Sequence, residues 1–425
     1  MIRKTIRLAC VFMLLLLLSS CAFMPSSTLE GMFNENGHST INGGQSSSNQ
    51  YPGTDTVVIT REEYEQYRKF SEMFSIYNTA GEFFYKEPDS DKMVEYAIRG
   101  MMAGLDDPYS FYYTPEEYEE MRKEDEGKYV GIGVLIQSNM KTQICTIIRV
   151  FEGGPAEAAG VQRGDVLYRV GEDLLVNPST LDQAIDIMRG IPDTDVDVTF
   201  LRNGEEITYT ITRKEVNVNQ VASKMIDEGI GYIALYEFAG KSEEEFKQAL
   251  DKLMDQGARG IIIDLRDNQG GWVDQAQYIA DLFMDEGELC YLKYRDGEEH
   301  AEEYRTKDGK ADVKLVILIN ENSASSSEIL TGALRDCAGA VTVGVKSFGK
   351  GIIQQMFPVG NKGAAFQMTI AQYFTPNGHA VHGIGITPDY EVPLPEGDNG
   401  MYDFADTEHD VQLYKALEVM KEQLH

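Results

Sequence analysis

Between residues 61 and 126 apolar and aromatic positions recur every three or four residues, and beyond residue 128 that spacing gives way to short apolar runs. Tyr64, Tyr67, Phe70, Phe74 and Tyr77 predict a helix over Arg61–Tyr85, with further helices over 91–105 and 115–126, so residues 61–126 read as an N-terminal helical region. From residue 127 to 213 the pattern predicts a compact β-rich module. Its strands are expected over Tyr129–Ile136, Ile144–Val150, Gly164–Val170, Val196–Leu201 and Ile207–Thr212, with a short helix ending at Gly160 and a longer one over Leu181–Met188. After Arg213 strands and helices alternate. Strands are expected over Ile230–Leu235, Gly260–Leu265, Val313–Ile319 and Ala340–Val343, and helices over Ser242–Met254 (Ser242 as N-cap), Asp274–Phe283 and Ser326–Leu334. Such alternation over 214–395 implies an α/β layer with a mostly parallel sheet. A tail, 396–425, carries a last helix over Asp410–Gln423. The fold class is therefore α/β in several domains.

A chain of 425 residues exceeds one ordinary core, and 42% hydrophobic residues with 10% aromatics fit folded domains. The net charge of −31 excludes nucleic acid as a partner and disfavours an electrostatic hold on anionic lipid. Arg3, Lys4 and Arg7 precede the apolar run Leu8–Leu18, too short to cross a bilayer of roughly 30 Å but suited to a signal peptide over 1–21. Leu18-Ser19-Ser20-Cys21 resembles a bacterial lipobox, which implies lipidation of Cys21; a short uncleaved anchor is the competing reading. Both place the body of the protein outside the plasma membrane. Residues 22–60, rich in Ser, Asn, Gly and Gln, read as a flexible tether. Cys145, Cys290 and Cys337 form neither a disulfide framework nor a CxxC metal site, and Cys145 and Cys337 are expected as small buried hydrophobes.

Chemistry concentrates late in the chain. Ser325 lies in Asn322-Ser323-Ala324-Ser325-Ser326-Ser327-Glu328, between an apolar strand and the start of a helix. There a hydroxyl stands clear of the sheet edge, beside free helix N–H groups that can receive an oxyanion. The same serines also suit plain helix capping. A serine nucleophile needs a base. Lys350, in Phe348-Gly349-Lys350-Gly351, is the candidate, with Gln354 four residues on able to orient the amine. Bringing a lysine from about 10.4 to near 7 requires favouring the neutral amine by roughly 4–5 kcal/mol, through burial without a carboxylate partner. Only six histidines are present and none adjoins the serines; His379 and His382 are a weak alternative. Gly344 to Gly351 matches the G-x4-G-K spacing of a phosphate loop but has Gly351 where a magnesium-holding hydroxyl belongs. Asp264-Leu265-Arg266-Asp267-Asn268-Gln269-Gly270-Gly271 ends a buried strand, and its paired glycines free backbone amides at the sheet's carboxyl edge.

Together these segments resemble the carboxyl-terminal processing (tail-specific) proteases of peptidase family S41, over roughly Tyr96 to Val392. The resemblance implies Ser325 as nucleophile, Lys350 as general base, Gln354 as its orienting partner, and the amides of Gly271 and Ser326 as oxyanion hole. It implies no cofactor and no metal. Tyr129 to Arg213 resembles the family's PDZ domain, with Gly131-Ile132-Gly133-Val134 as the loop binding a peptide's terminal carboxylate and the peptide adding as a strand. Arg189 resembles an arginine that in some members links PDZ position to catalytic order. Ser326 stands where alanine is frequent, Gln269 where Pro or Gly is usual, and Val345 where Glu is frequent. None of these removes a catalytic group. The expectation is a lipid-anchored, extracytoplasmic serine endopeptidase acting on protein or peptide substrates with free C-termini. Aromatic faces of the N-terminal and final helices suggest a homodimer. The rivals are a silent PDZ scaffold that only binds tails, and a Ser–His hydrolase using His382.

Overall fold

The computed structural model describes residues 59–425 apart from 126–127, 141, 296, 298, 301–303, 308, 310, 361–362, 399, 401 and 403. The signal peptide with Cys21, and nearly all of the tether, lie outside the described residues. Two units are distinguished, one ending at Ile76 and one starting at Tyr77. In the first, Thr60 and Glu63 cap the helix Arg61–Lys69 reciprocally. The single helix expected over Arg61–Tyr85 is two, with Phe70 ending the first and Ser71–Phe83 forming the second.

The second unit holds the β-rich module and the α/β core. Helices Ser90–Ala103 and Pro115–Asp125 fall where the periodicity predicts them. Between them lies an unexpected strand, Phe111–Tyr113, an aromatic run suited to a pleated surface. In the β-rich module five strands order as Val134–Asn139, Ile144–Val150, Val166–Val170, Asp195–Arg202 and Glu205–Thr212. They enclose Ile132, Cys145, Ile147, Leu167, Val198, Phe200 and Ile211 with Ala184 and Met188 of the helix Leu181–Met188. The strand expected over Tyr129–Ile136 is broken: Lys128–Gly131 pairs with Lys214–Asn217, and Gly133, at φ 85°, turns the chain into the module's own sheet.

The core sheet runs Val221–Asp227, Ile230–Leu235, Gly260–Asp264, Lys314–Ile319, Val341–Gly344 and Tyr390–Glu391. Every neighbouring pair is parallel except the first, a hairpin edge. Apolar layers explain why these strands read as unbroken hydrophobic runs. One face (Ile233, Ile261, Ile263, Leu315, Ile317) packs among the helices Ser242–Asp255, Val273–Asp281 and Ser326–Ala338. The other (Tyr232, Ile262, Val316, Leu318, Val343) is covered by Leu413, Ala416, Leu417 and Met420 of the last helix, Val411–Leu424. The aliphatic face of that helix thus packs on its own sheet, while Tyr414 stays exposed. Arg266 reinforces the join, bonding Asp264 and the helix-capping Asp410 at 2.6 and 2.7 Å. Ser242 is not an N-cap: Lys241 holds that position, and the Ser242 hydroxyl bonds Gln275. Cys145 is buried as expected, but Cys337 is exposed, because its helix turns that face to solvent.

A second, antiparallel sheet includes the strand that follows Lys350. Its long strand Ala364–Phe374 pairs with Ile352–Val359, Tyr291–Tyr294 and the early strand Phe111–Tyr113. That last pairing carries residues 107–110 into the core. At the join between module and core, the Arg149 guanidinium lies 3.7 Å over the ring of Tyr236 and donates to the carbonyl of Asn219.

Candidate active site

Ser325 follows the buried strand Lys314–Ile319 and immediately precedes the helix Ser326–Ala338. Its backbone is strained, with φ 55° and ψ −117° in a non-glycine residue. Several bonds hold it there. Its amide donates to Glu328 Oε2 at 3.1 Å, and its carbonyl accepts the Tyr373 hydroxyl at 3.1 Å and the Ile329 amide at 2.9 Å. The neighbouring hydroxyls are all spent. Ser323 donates to the Leu265 carbonyl, Ser326 to that of Gly271 and Ser327 to that of Asn268. The hydroxyl of Ser325 donates to none of the described residues. Four clustered serines thus resolve into three that fasten the turn and one with a free proton.

Two backbone amides lie in adjoining segments here, since Ser326 Oγ bonds the Gly271 carbonyl. Gly270 and Gly271 have φ 104° and 133°, and a side chain on either would collide. A Cβ at 271 would lie 2.2 Å from the Phe238 carbonyl oxygen, and one at 270 would lie 2.8 Å from Ser325 Cβ. Phe238 fixes this loop, donating to the Gly270 carbonyl at 2.9 Å and accepting from Trp272 at 2.8 Å. Among the described residues the N–H groups of Gly271 and Ser326 meet no acceptor, so two donors stand open beside the Ser325 side chain. Asn268, wholly buried, fastens the surroundings. Its side chain bonds the Leu235 carbonyl and the Gly270 amide, and its carbonyl accepts from Ala324 and Ser327.

Glu328 joins the two chemical halves. Its Oε2 accepts the amides of Ser325 and of Lys350, so one oxygen ties both residues, while Oε1 accepts from Gly349 and the Ser347 hydroxyl. Burial pushes this carboxyl up, and those four donors oppose it. Lys350 is half-buried, and burial pushes its amine below the ordinary value while the charge of Asp107 opposes that shift. Its Nζ stands 4.5 Å over the Tyr109 ring, and no hydrogen bond joins it to Ser325 Oγ. Gln354 points elsewhere than expected: its Nε2 donates to Thr369 Oγ1 at 3.2 Å, and its amide oxygen makes no bond to Lys350. The Thr369 amide in turn donates to Ser110 Oγ at 3.0 Å, and Ser110 donates to Asp107. Residues 107–110 were missed from the sequence. Their signal was only a polar turn, Asp107-Pro108-Tyr109-Ser110, between a helix and a strand.

Gly131, Ile132 and Val134 line a groove with Ile185, Met188 and Arg189 of the module, and the core adds Glu237 and Ala239, while Gly133 does not line it. Burial pushes the Tyr129 hydroxyl up to about 12, opposed by the amides of Val134 and Gly133 and by nearby Arg189, so this phenol faces the loop's amides. The Arg189 guanidinium lies 5.4 Å from the same ring. His382 packs its main chain against Gly351, but its exposed imidazole makes no bond to Ser325.

Comparison with known proteins agrees with this architecture. The model for peptidase family S41 matches residues 229–392, that for the PDZ domain residues 120–201, and that for the activating protease CtpB N-terminal domain residues 31–117. A carboxyl-terminal-processing protease of Synechocystis sp. is 36% identical over 350 residues, covering 80% of each chain. A probable CtpA-like serine protease of Staphylococcus epidermidis is 34% identical, over 80% of this chain and 70% of that protein. Among solved structures, a photosystem II D1 C-terminal processing protease superposes with a TM-score of 0.52 at 28% identity, covering 83% of this chain and 96% of its own.

Proposed function

The chain belongs to peptidase family S41, the carboxyl-terminal processing serine proteases, and carries a PDZ domain, and from that premise we propose a Ser–Lys endopeptidase that recognises protein C-termini. One observation carries this reading: the Ser325 hydroxyl keeps its proton free next to two amides without acceptors, and its amide shares with Lys350 one oxygen of Glu328. In the first step Ser325 Oγ attacks the scissile carbonyl and its proton passes to the neutral amine of Lys350. The amides of Gly271 and Ser326 receive the oxyanion. Collapse expels the amine of the leaving peptide, which takes its proton from Lys350, and leaves an acyl-enzyme. Water, deprotonated by the same amine, then releases the acid. To reach Ser325 the Lys350 side chain must reorient, since no hydrogen bond joins the two groups here. Gln354 has its amide oxygen available to steady the amine in that position.

The groove at Gly131–Val134 takes the terminal carboxylate, with Ile132, Val134, Ile185 and Met188 offering an apolar seat for the last side chain. Arg189, over Tyr129 at its rim, is the residue that would sense occupancy. We further infer an extracytoplasmic body held at the membrane by lipid on Cys21, with protein tails as substrates. Homodimerisation would use the aromatic stripe of the first helix, where Tyr64 and Tyr67 are about half exposed at 51% and 53%. Sedimentation of the Tyr67→Asp protein tests that part, and an unchanged mass sinks it.

The decisive experiment incubates the soluble body with peptides of varied C-termini and reads products by mass spectrometry. Ser325→Ala and Lys350→Ala must each lose cleavage while keeping tail binding. A Ser325→Ala protein that still cuts refutes the nucleophile, and wild-type protein that binds tails without cutting them supports the scaffold reading.

A further inference from the structure

We propose that Asp107 and Tyr109, brought in from outside the S41 core, are positioning residues for Lys350 that hold its ammonium form after each proton transfer. The inference rests on the Ser–Lys reading above. A lysine base has two demands on its surroundings: it must be neutral before attack and tolerated as a cation afterwards. Burial serves the first demand and works against the second. The face of an aromatic ring serves the second, because its quadrupole attracts a cation while offering a neutral amine little. Lys350 Nζ stands 4.5 Å over the Tyr109 ring.

Asp107 completes this arrangement from beyond contact range. It raises the tendency of Lys350 to hold a proton but forms no ion pair with it among the described residues, so it does not pin the amine as a permanent cation. Its own position is set by the Ser110 hydroxyl and the Tyr109 amide. Burial alone would raise its carboxyl, yet these donors, Thr369 and the Lys350 charge keep it below the ordinary value and therefore ionised. The loop is held in turn by the core. Gln367 donates to the Tyr109 carbonyl at 3.1 Å, the Thr369 amide donates to Ser110, and Phe111–Tyr113 pairs with Ala365–Gln367. Polar groups of the adjoining helix and sheet already have hydrogen-bond partners. Glu328, from the helix, is taken up by four donors, and Gln354 and Thr369, from the sheet, bond one another. Tyr373 bonds the Ser325 carbonyl.

The test is the pH profile of kcat/KM on a tail peptide, whose acid limb reports the free enzyme's base. Removing a feature that favours the ammonium lowers the pH at which Lys350 loses its proton. Asp107→Asn and Tyr109→Leu should therefore each move the limb to lower pH, by on the order of half a unit, as a charge acting beyond contact would. Plateau kcat should fall about tenfold in both, as the cation formed in the reaction loses support. Tyr109→Phe keeps the ring face and should keep the limb where it is in wild type. A purely structural role would lower the plateau and leave the limb unmoved in Asp107→Asn and Tyr109→Leu; that outcome overturns the proposal. Failure of the underlying reading looks different: Lys350→Ala would then retain turnover and the acid limb.

Discussion

Two glycine-bearing loops in this molecule were proposed above to receive an anion on backbone amides, and they treat those amides differently. In the PDZ domain, the amides of Gly133 and Val134 lie by the phenol of Tyr129, in the loop proposed above to take a peptide's carboxylate. In the peptidase core, the amides of Gly271 and Ser326 meet no acceptor among the described residues. A recognition loop gains from a resident group that an arriving peptide must displace, because only a true carboxylate outcompetes a phenol. An oxyanion lives too briefly for such an exchange. Its donors have to be open and fixed beforehand, since reorganisation during the reaction would cost the rate they exist to supply.

The comparison breaks most visibly at Gly271. A Cβ there would sit 2.2 Å from the Phe238 carbonyl oxygen at a φ no alanine holds comfortably. Gly271→Ala should lower kcat about 10²–10³-fold or more, with tail affinity by calorimetry unchanged; an active variant would mean that this amide is not a donor. Next comes the acid limb of wild-type kcat/KM. Burial lowers Lys350 and a base must be neutral to act, so activity should rise with pH through a midpoint below the free-lysine value of 10.5. A limb at or above that value contradicts the buried base. Gly133→Ala is milder, because its Cβ would meet only ordinary contacts at 3.5 Å and the cost is the left-handed backbone at φ 85°. Tail affinity should drop about fivefold, for a penalty near 1 kcal/mol, with turnover of a short untethered peptide retained. The smallest effect sharpens the contrast from the other side. Tyr129→Phe removes the resident hydroxyl, and tail affinity should rise about two- to fivefold, matching one modest hydrogen bond. Unchanged affinity would show that the phenol never competed.

Legibility followed sequence distance. The parallel strands were plain because both faces of their sheet are covered and the apolar runs are unbroken, as in Ile261-Ile262-Ile263. Ser325 and Lys350 stood out as candidates because each lies in a short local motif. Their neighbours were not, because tertiary packing supplies them. Tyr109 reaches Lys350 only through the pairing of Phe111–Tyr113 with a strand some 250 residues later in the chain. Glu328 was read merely as the end of the serine motif, though it ties Ser325 to Lys350. Gln354 was expected to steady the lysine, yet its amide nitrogen bonds Thr369 and its oxygen makes no bond to Lys350. The strand Val221–Asp227 escaped notice because its mixed residues sit half-buried at a sheet edge, where no apolar run marks it.

Asn268 carries a consequence for how this enzyme fails under heat. Its sealed side chain ties the end of the strand Ile230–Leu235 to the glycine pair, and its carbonyl holds Ala324 and Ser327 at the start of the helix Ser326–Ala338. Loosening any one of these strips partners from the others, so catalytic competence has no private melting step. Residual activity after a heat pulse should follow the same curve as loss of core secondary structure, while the PDZ domain, with its own hydrophobic centre, is free to melt on a separate schedule.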